Sequence, residues 1–172
     1  KEGSGNLGFT NAARVLGVKA GVITITGDIL KAIAAFALCN VLFPELAPTA
    51  GFYACIGVVI GHDFPFYLHF KGGKGIAATI GMMLCFGYLW PWIVVVDVVI
   101  GLAGVFLTGF ISVGSLLFSL VLPISIAVAG APVEWVAVVC CMSALAFYQH
   151  RANIGRLMQG KENKFTFKKS NS

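Results

Sequence analysis

Charge is scarce in this sequence. Of 172 residues, 11% are Asp, Glu, Lys or Arg, against about 25% in an ordinary soluble domain. Hydrophobic residues make up 58% of the chain and the mean hydropathy is +0.90. A soluble two-layer domain is thereby excluded, and a multi-pass membrane protein remains. Cysteine spacing is equally uninformative for metals. Cys39, Cys55, Cys85, Cys140 and Cys141 all lie in apolar stretches with no C-x-x-C pair, so they read as reduced, buried hydrophobes and not as a disulfide framework or zinc site. The net charge of +5 comes without a basic face interleaved with aromatics, which argues against nucleic acid as a partner. No signal peptide opens the chain. It begins at Lys1 and not at Met, inside a polar motif, so a preceding segment is expected to be missing.

Several catalytic patterns are also absent. A Walker A loop fails because Leu68 stands where the first glycine belongs and Gly75 follows Lys74. There is no H-E-x-x-H and no G-x-S-x-G. The His-x4-Asp pattern of the better-known glycerolipid acyltransferases is missing too, since Tyr67, Lys74 and Gly155 stand five residues after His62, His69 and His150. No metal-ligand cluster and no cofactor motif is visible.

What is present is a set of apolar runs. They predict an all-α, multi-pass transmembrane helical bundle, a single integral-membrane domain over residues 1–172. Six spans are expected, near residues 20–43, 49–61, 76–89, 93–107, 113–129 and 133–148. The second runs on toward Phe70 if Pro65 only kinks it. Several spans are short, and their many Gly, Ala and Ser residues suit close helix packing. Residues 11–14 open a short amphipathic helix. Asp28 and Lys31, at i and i+3 within the first span, are expected to neutralise one another on one helix face.

Six spans put the N-terminal segment, the Gly61–Gly75 loop, the Thr108–Ser112 break and the C-terminal tail on one side. That side carries Lys1, Arg14, Lys19, Lys71, Lys74, Arg151, Arg156, Lys161, Lys164, Lys168 and Lys169. The opposite turns hold Glu45 and Glu134 and no Lys or Arg. By the positive-inside rule the polar side faces the cytoplasm.

Three polar clusters fall on that side. In the first, Ser4, Asn6, Thr10 and Asn11 stand among Gly3, Gly5 and Gly8, ahead of Arg14. The second is the loop G-H-D-F-P-F-Y-L-H-F-K-G-G-K-G, with His62 and His69, and with Lys71 and Lys74 among Gly72, Gly73 and Gly75. The third is H-R-A-N-I-G-R-L-M-Q-G-K-E from His150 to Glu162, where His150, Asn153 and Arg156 recur at helical spacing. Arg14, Lys71, Lys74 and Arg156 suit anions, and Ser4, Asn6, Asn11 and Asn153 suit hydrogen bonding. Glycine amides beside lysines suit phosphate. Such a site binds phosphate esters at the lipid–water boundary. The bland alternative for the Lys/Gly loop is a basic juxtamembrane loop that only sets topology. The rival function is an organic-phosphate transporter or channel, which intramembrane Asp97 suits.

These three motifs closely resemble the PlsY family of bacterial acyl-phosphate:glycerol-3-phosphate acyltransferases. They read G-S-G-N-x-G-x-T-N-x-x-R at Gly3–Arg14, G-H-x-x-P-x-x-x-x-F-K-G-G-K-G-x-A-x-T at Gly61–Thr79 and H-x-x-N-I-x-R-L-x-x-G-x-E at His150–Glu162. The break at Ile111–Ser115 resembles the family's short serine segment. Phe9 departs from the family's usual Ala, and the family's additional first helix of a seven-helix fold is missing. The resemblance implies acyl transfer from acyl phosphate to the 1-hydroxyl of glycerol 3-phosphate in the bacterial cytoplasmic membrane, with no metal or organic cofactor and no obligate protein partner. It implies that Lys71, Gly72, Gly73, Lys74, Gly75 and Arg14 bind one phosphate. Ser4, Gly5 and Asn6 then cradle the other phosphate or the oxyanion, with Gly8, Thr10, Asn11, His62 and Arg156 in the same site. Ser112 and Asn153 orient substrate and Glu162 fixes the third motif. Either His150 or a substrate phosphate oxygen takes the hydroxyl proton.

Overall fold

The structure is a computed structural model that describes residues 3–165; Lys1, Lys168 and Lys169, counted in the charge asymmetry, lie outside the described residues. The described chain is helical, with no strand among the described residues. The helices are α1 (Phe9–Leu16), α2 (Val18–Leu42), α3 (Thr49–Asp63), α4 (Ile76–Phe86), α5 (Pro91–Thr108), α6 (Ile111–Val128), α7 (Val133–Gln149) and α8 (Arg151–Met158). Short 3-10 turns follow α2 at Pro44–Leu46 and α3 at Phe66–Leu68. The chain forms two compact units, one up to residue 85 and one beginning at residue 86.

In the first unit α2 runs for 25 residues, about 37 Å at 1.5 Å per residue and enough to cross a bilayer. Small residues bring its neighbours close. A side chain at Gly21 would meet Ala13 Cβ of α1 at 2.6 Å, and one at Gly51 of α3 would meet Phe36 at 2.6 Å. Gly51 N also donates to Asn40 Oδ1 at 2.9 Å, tying the start of α3 to the end of α2. Proline decides where α3 stops. Pro65 has no N–H to continue the ladder, so the helix ends at Asp63 and the chain turns through Phe66–Leu68. Pro65 therefore ends α3, and the chain runs on through the Phe66–Leu68 turn as one candidate span of 20 residues, Thr49–Leu68.

Helix α4 is shorter than the expected third span, 76–89. It is 11 residues long, about 16 Å, roughly half the hydrocarbon thickness. Leu89 N and Trp90 N both donate to Phe86 O, and this turn ends it. Ala78, Met82, Met83, Cys85 and Phe86 along it are buried. By length and composition α2, α3 with its following turn, α5 and α6 can cross a membrane, and α7 with α8 adds a fifth candidate bent by 55°.

In the second unit α5 and α6 pack through glycine. A side chain at Gly104 would lie 2.6 Å from Leu117 and 3.0 Å from Gly114 Cα, and one at Gly114 would overlap Gly101 O. Such small residues let helices approach where water provides no drive for association. Ser143 Oγ of α7 donates to Ser119 O of α6 at 2.5 Å. Asp97 is fully buried in α5 and accepts from Ser125 Oγ of α6 at 2.6 Å. Removing that donor leaves a buried carboxyl without its hydrogen bond. Ser125→Ala is expected to destabilise the protein by about 1–3 kcal/mol, seen as a lower Tm in detergent, with Asp97→Asn closer to wild type.

Candidate functional site

The first motif is a loop wound onto α1. Gly3 and Gly5 have positive φ of 59° and 68°, a region that L side chains rarely enter. Asn11 Oδ1 accepts from Ser4 N at 2.8 Å, and Asn6 Oδ1 accepts from Gly8 N at 2.9 Å. The second contact is an Asx turn that leads into α1. Asn6 and Asn11, expected to bond substrate, thus spend these oxygens on shaping the loop. Thr10 lies in the first turn of α1, where backbone N–H groups have no intrahelical partner. Ser4, Gly5 and Arg14 are exposed, and Gly8 and Thr10 are half-buried.

The second motif folds back on the end of α3. Gly72 N donates to Asp63 O at 3.1 Å and Gly73 N to His62 O at 3.0 Å. A side chain at Gly72 would sit 2.5 Å from Pro65 Cδ and 2.8 Å from Asp63 O. One at Gly73 would strike the His62 ring, 2.7 Å from Cδ2 and 2.8 Å from Cε1. Gly75 has φ +71° and lies over Val59 and the Asp63 carboxylate. The expected role of Gly72 and Gly73 as N–H donors to phosphate is corrected accordingly. Their amides are engaged with α3, and glycine is required for the close approach. His69 and Phe70 reverse the chain just before Lys71, both at left-handed φ of 53° and 58°. Lys71 is exposed and Lys74 half-buried.

Behind this loop lies a cluster that the sequence only half discloses. Lys31 Nζ is 2.7 Å from Asp28 Oδ1, as their spacing predicts, and 2.6 Å from His62 Nδ1. The same Asp28 oxygen is 3.2 Å from His62 Nδ1. These three residues help line a cavity of about 420 Å³. Leu7, Val58, Gly61, Pro65 and Tyr67 line the rest, so the first and second motifs share this cavity.

The third motif belongs to the second unit, where one carboxylate gathers it. Glu162 Oε1 accepts from Asn153 Nδ2 at 2.8 Å and from Ser112 Oγ at 3.4 Å, and Oε2 accepts from Arg156 Nε at 2.8 Å. Phe165 N donates to Gly109 O at 2.8 Å, holding the segment after α8 against the α5–α6 break. His150 stands at the bend between α7 and α8, buried to 3% exposure, and its Nδ1 donates to Ala146 O at 2.8 Å. A carbonyl only accepts, so Nδ1 carries the hydrogen and Nε2 of the neutral ring is an acceptor. Ser112 and Asn153 are buried, while Arg156 keeps 36% of its side chain exposed.

Residues 1–160 match the family described as Glycerol-3-phosphate acyltransferase. A glycerol-3-phosphate acyltransferase of Halalkalibacterium halodurans is 38% identical over 173 residues, covering 98% of this chain and 82% of the relative. One from Desulfotalea psychrophila is 39% identical over 163 residues, covering 94% and 81%. The crystal structure of PlsY, an integral membrane glycerol 3-phosphate acyltransferase, is similar in its glycerol 3-phosphate form, with a TM-score of 0.82 and 32% identity over 95% of this chain and 80% of that one. Its lysophosphatidic acid form gives 0.81 and 30%, over 96% and 83%.

Glu162 accepts from three donors of the second unit. Glu162→Ala leaves Ser112, Asn153 and Arg156 without it and is expected to lower the Tm by several degrees. Faster amide exchange in α8, measured by mass spectrometry, accompanies that loss.

Proposed function

The chain belongs to the glycerol-3-phosphate acyltransferase family, and on that premise we propose how its polar motifs divide the work of one acyl transfer. The protein is an integral membrane glycerol-3-phosphate acyltransferase of the PlsY type. The donor we assign is acyl phosphate. The observation that carries this reading is the cavity of the first unit at which the first and second motifs meet, lined by Leu7 of the first and by Gly61, His62, Pro65 and Tyr67 of the second.

Lys71, Lys74 and Arg14 supply positive charge for the phosphate of glycerol 3-phosphate, on a backbone that Gly72, Gly73 and Gly75 hold to α3. Ser4, Gly5 and Asn6 face the donor phosphate or the oxyanion, beside the first turn of α1 with Gly8, Thr10 and Asn11. Ser112, Asn153 and Arg156, ordered by Glu162, orient the reacting groups. The 1-hydroxyl oxygen attacks the acyl carbonyl carbon. The carbonyl C–O bond to phosphate then breaks, giving lysophosphatidic acid and inorganic phosphate. Phosphate is a good leaving group, so no covalent acyl-enzyme is needed, and positioning and electrostatic stabilisation are the main catalytic terms.

We assign the proton to a phosphate oxygen of the substrate. His150 donates from Nδ1 to a neutral carbonyl and not to a carboxylate, an arrangement that stabilises an imidazolium less than the carboxylate of a catalytic triad does. The transporter alternative needs Asp97 on a pathway, but Asp97 is fully buried and bonded to Ser125. The site faces the cytoplasm of a bacterial cell in this reading, on the strength of the Lys and Arg distribution, and no obligate protein partner is assigned.

Purified protein given palmitoyl phosphate and glycerol 3-phosphate is expected to release lysophosphatidic acid and phosphate. Product from acyl-CoA or acyl carrier protein alone would overturn the donor assignment. His150→Gln is expected to keep the wild-type pH profile with a rate within about tenfold, whereas a loss of 10²–10⁴ with an altered profile would make His150 the base. Gly73→Ala drives a methyl into the His62 ring and is expected to raise KM for glycerol 3-phosphate more than it lowers kcat.

A further inference from the structure

An intramembrane Lys needs one counter-charge, and Asp28 alone provides it. The third member of the cluster is therefore informative. His62 meets the glycine loop twice, through its carbonyl on Gly73 N and through its ring, which fills the space a side chain at Gly73 would need. The far side of the same ring is held by Lys31 at 2.6 Å from Nδ1. We propose that Asp28 and Lys31 are positioning residues of the acyltransferase, acting through His62 to set the glycine loop that binds glycerol 3-phosphate. The proposal rests on that assignment of the loop.

The hydrogen bonding gives the arrangement a direction. A contact of 2.6 Å between two nitrogens holds one hydrogen. In the proposed arrangement the ammonium of Lys31, which has hydrogens to donate and no acceptor, donates to His62 Nδ1 in preference to Nδ1 donating to Asp28 Oδ1 at 3.2 Å, and the ring hydrogen is placed on Nε2. Asp28 Oδ1, 2.7 Å from Lys31 Nζ, holds the ammonium in line. Rotation of the imidazole then breaks the Lys31 contact, and the ring stays a fixed wall for Gly73. Asp28 and Lys31 lie on α2 and His62 in the last turn of α3, so the pairing of these two helices is transmitted to a loop that neither contains.

The test separates positioning from charge neutralisation. The double variant Asp28→Leu with Lys31→Met removes both charges together with both hydrogen-bond partners of His62 Nδ1. Neutralisation alone predicts wild-type kinetics for it. Positioning predicts a KM for glycerol 3-phosphate raised about tenfold with kcat changed less than about threefold. In a His62→Phe background, which keeps the ring and removes its nitrogens, Lys31→Met is expected to add no further change in KM. A wild-type KM in the double variant, or independent effects of Lys31→Met and His62→Phe, would overturn the proposal. In the unaltered protein, ¹⁵N-histidine NMR is expected to find His62 with a bare Nδ1 and a protonated Nε2, assigned by loss of the signal in His62→Gln. The opposite tautomer would overturn the proposal without any kinetic assay. Failure of the underlying loop assignment looks different: Gly73→Ala itself would then leave the KM for glycerol 3-phosphate unchanged, and both readings would fall together.

Discussion

In hydrocarbon a polar group has no water to bond, and that constraint accounts for much of this structure. Asp97 meets Ser125 across α5 and α6, Asn40 meets the start of α3, and Asp28 meets Lys31 and His62. In each case the partner is on the helix that packs alongside or on the next turn of the same helix. The polar residues of the spans therefore also report which helices are neighbours and in which register.

The same constraint shapes the loops. A chain leaving a helix carries unpaired carbonyls with it, and those of His62 and Asp63 are taken by Gly73 and Gly72. The glycine-rich stretch is held against α3 by its own backbone before any ligand arrives. Its lysines then project from a fixed support, which is what electrostatic catalysis requires of a charged group. In the second unit a single buried carboxylate serves the same end, with Glu162 drawing together the end of α8 and the start of α6. Preorganisation is achieved in one unit by backbone pairing and in the other by side-chain pairing.

Most of the helices were legible from composition and turn residues. Lipid exposure selects long apolar runs, and Pro, Gly and Trp-Pro-Trp mark their ends, so α2, α5, α6 and α7 fall within a few residues of expectation. The early end of α4 was not legible, because the apolar composition runs on to Leu89, and only the turn at Phe86 ends the helix. Pro65 was ambiguous for a similar reason: the residue permits a kink or a stop, and in three dimensions it ends α3 while the 3-10 turn carries the span on to Leu68.

For the site, the sequence by itself determined which residues matter and what chemistry they suit. Motif spacing identified the family, and residue type named the anion-binding and hydrogen-bonding groups, because those properties belong to the side chains. What each group bonds to was decided only in three dimensions. Asn6 and Asn11 turn out to shape their own loop, Gly72 and Gly73 to close against α3, and Glu162 to gather three donors. Lys31 shows the limit most clearly. Its pairing with Asp28 follows from three residues' spacing on one helix, whereas its contact with His62 spans 31 residues. That contact depends on how α2 and α3 pack, and helix packing is set by the summed fit of many side chains and not by any local pattern.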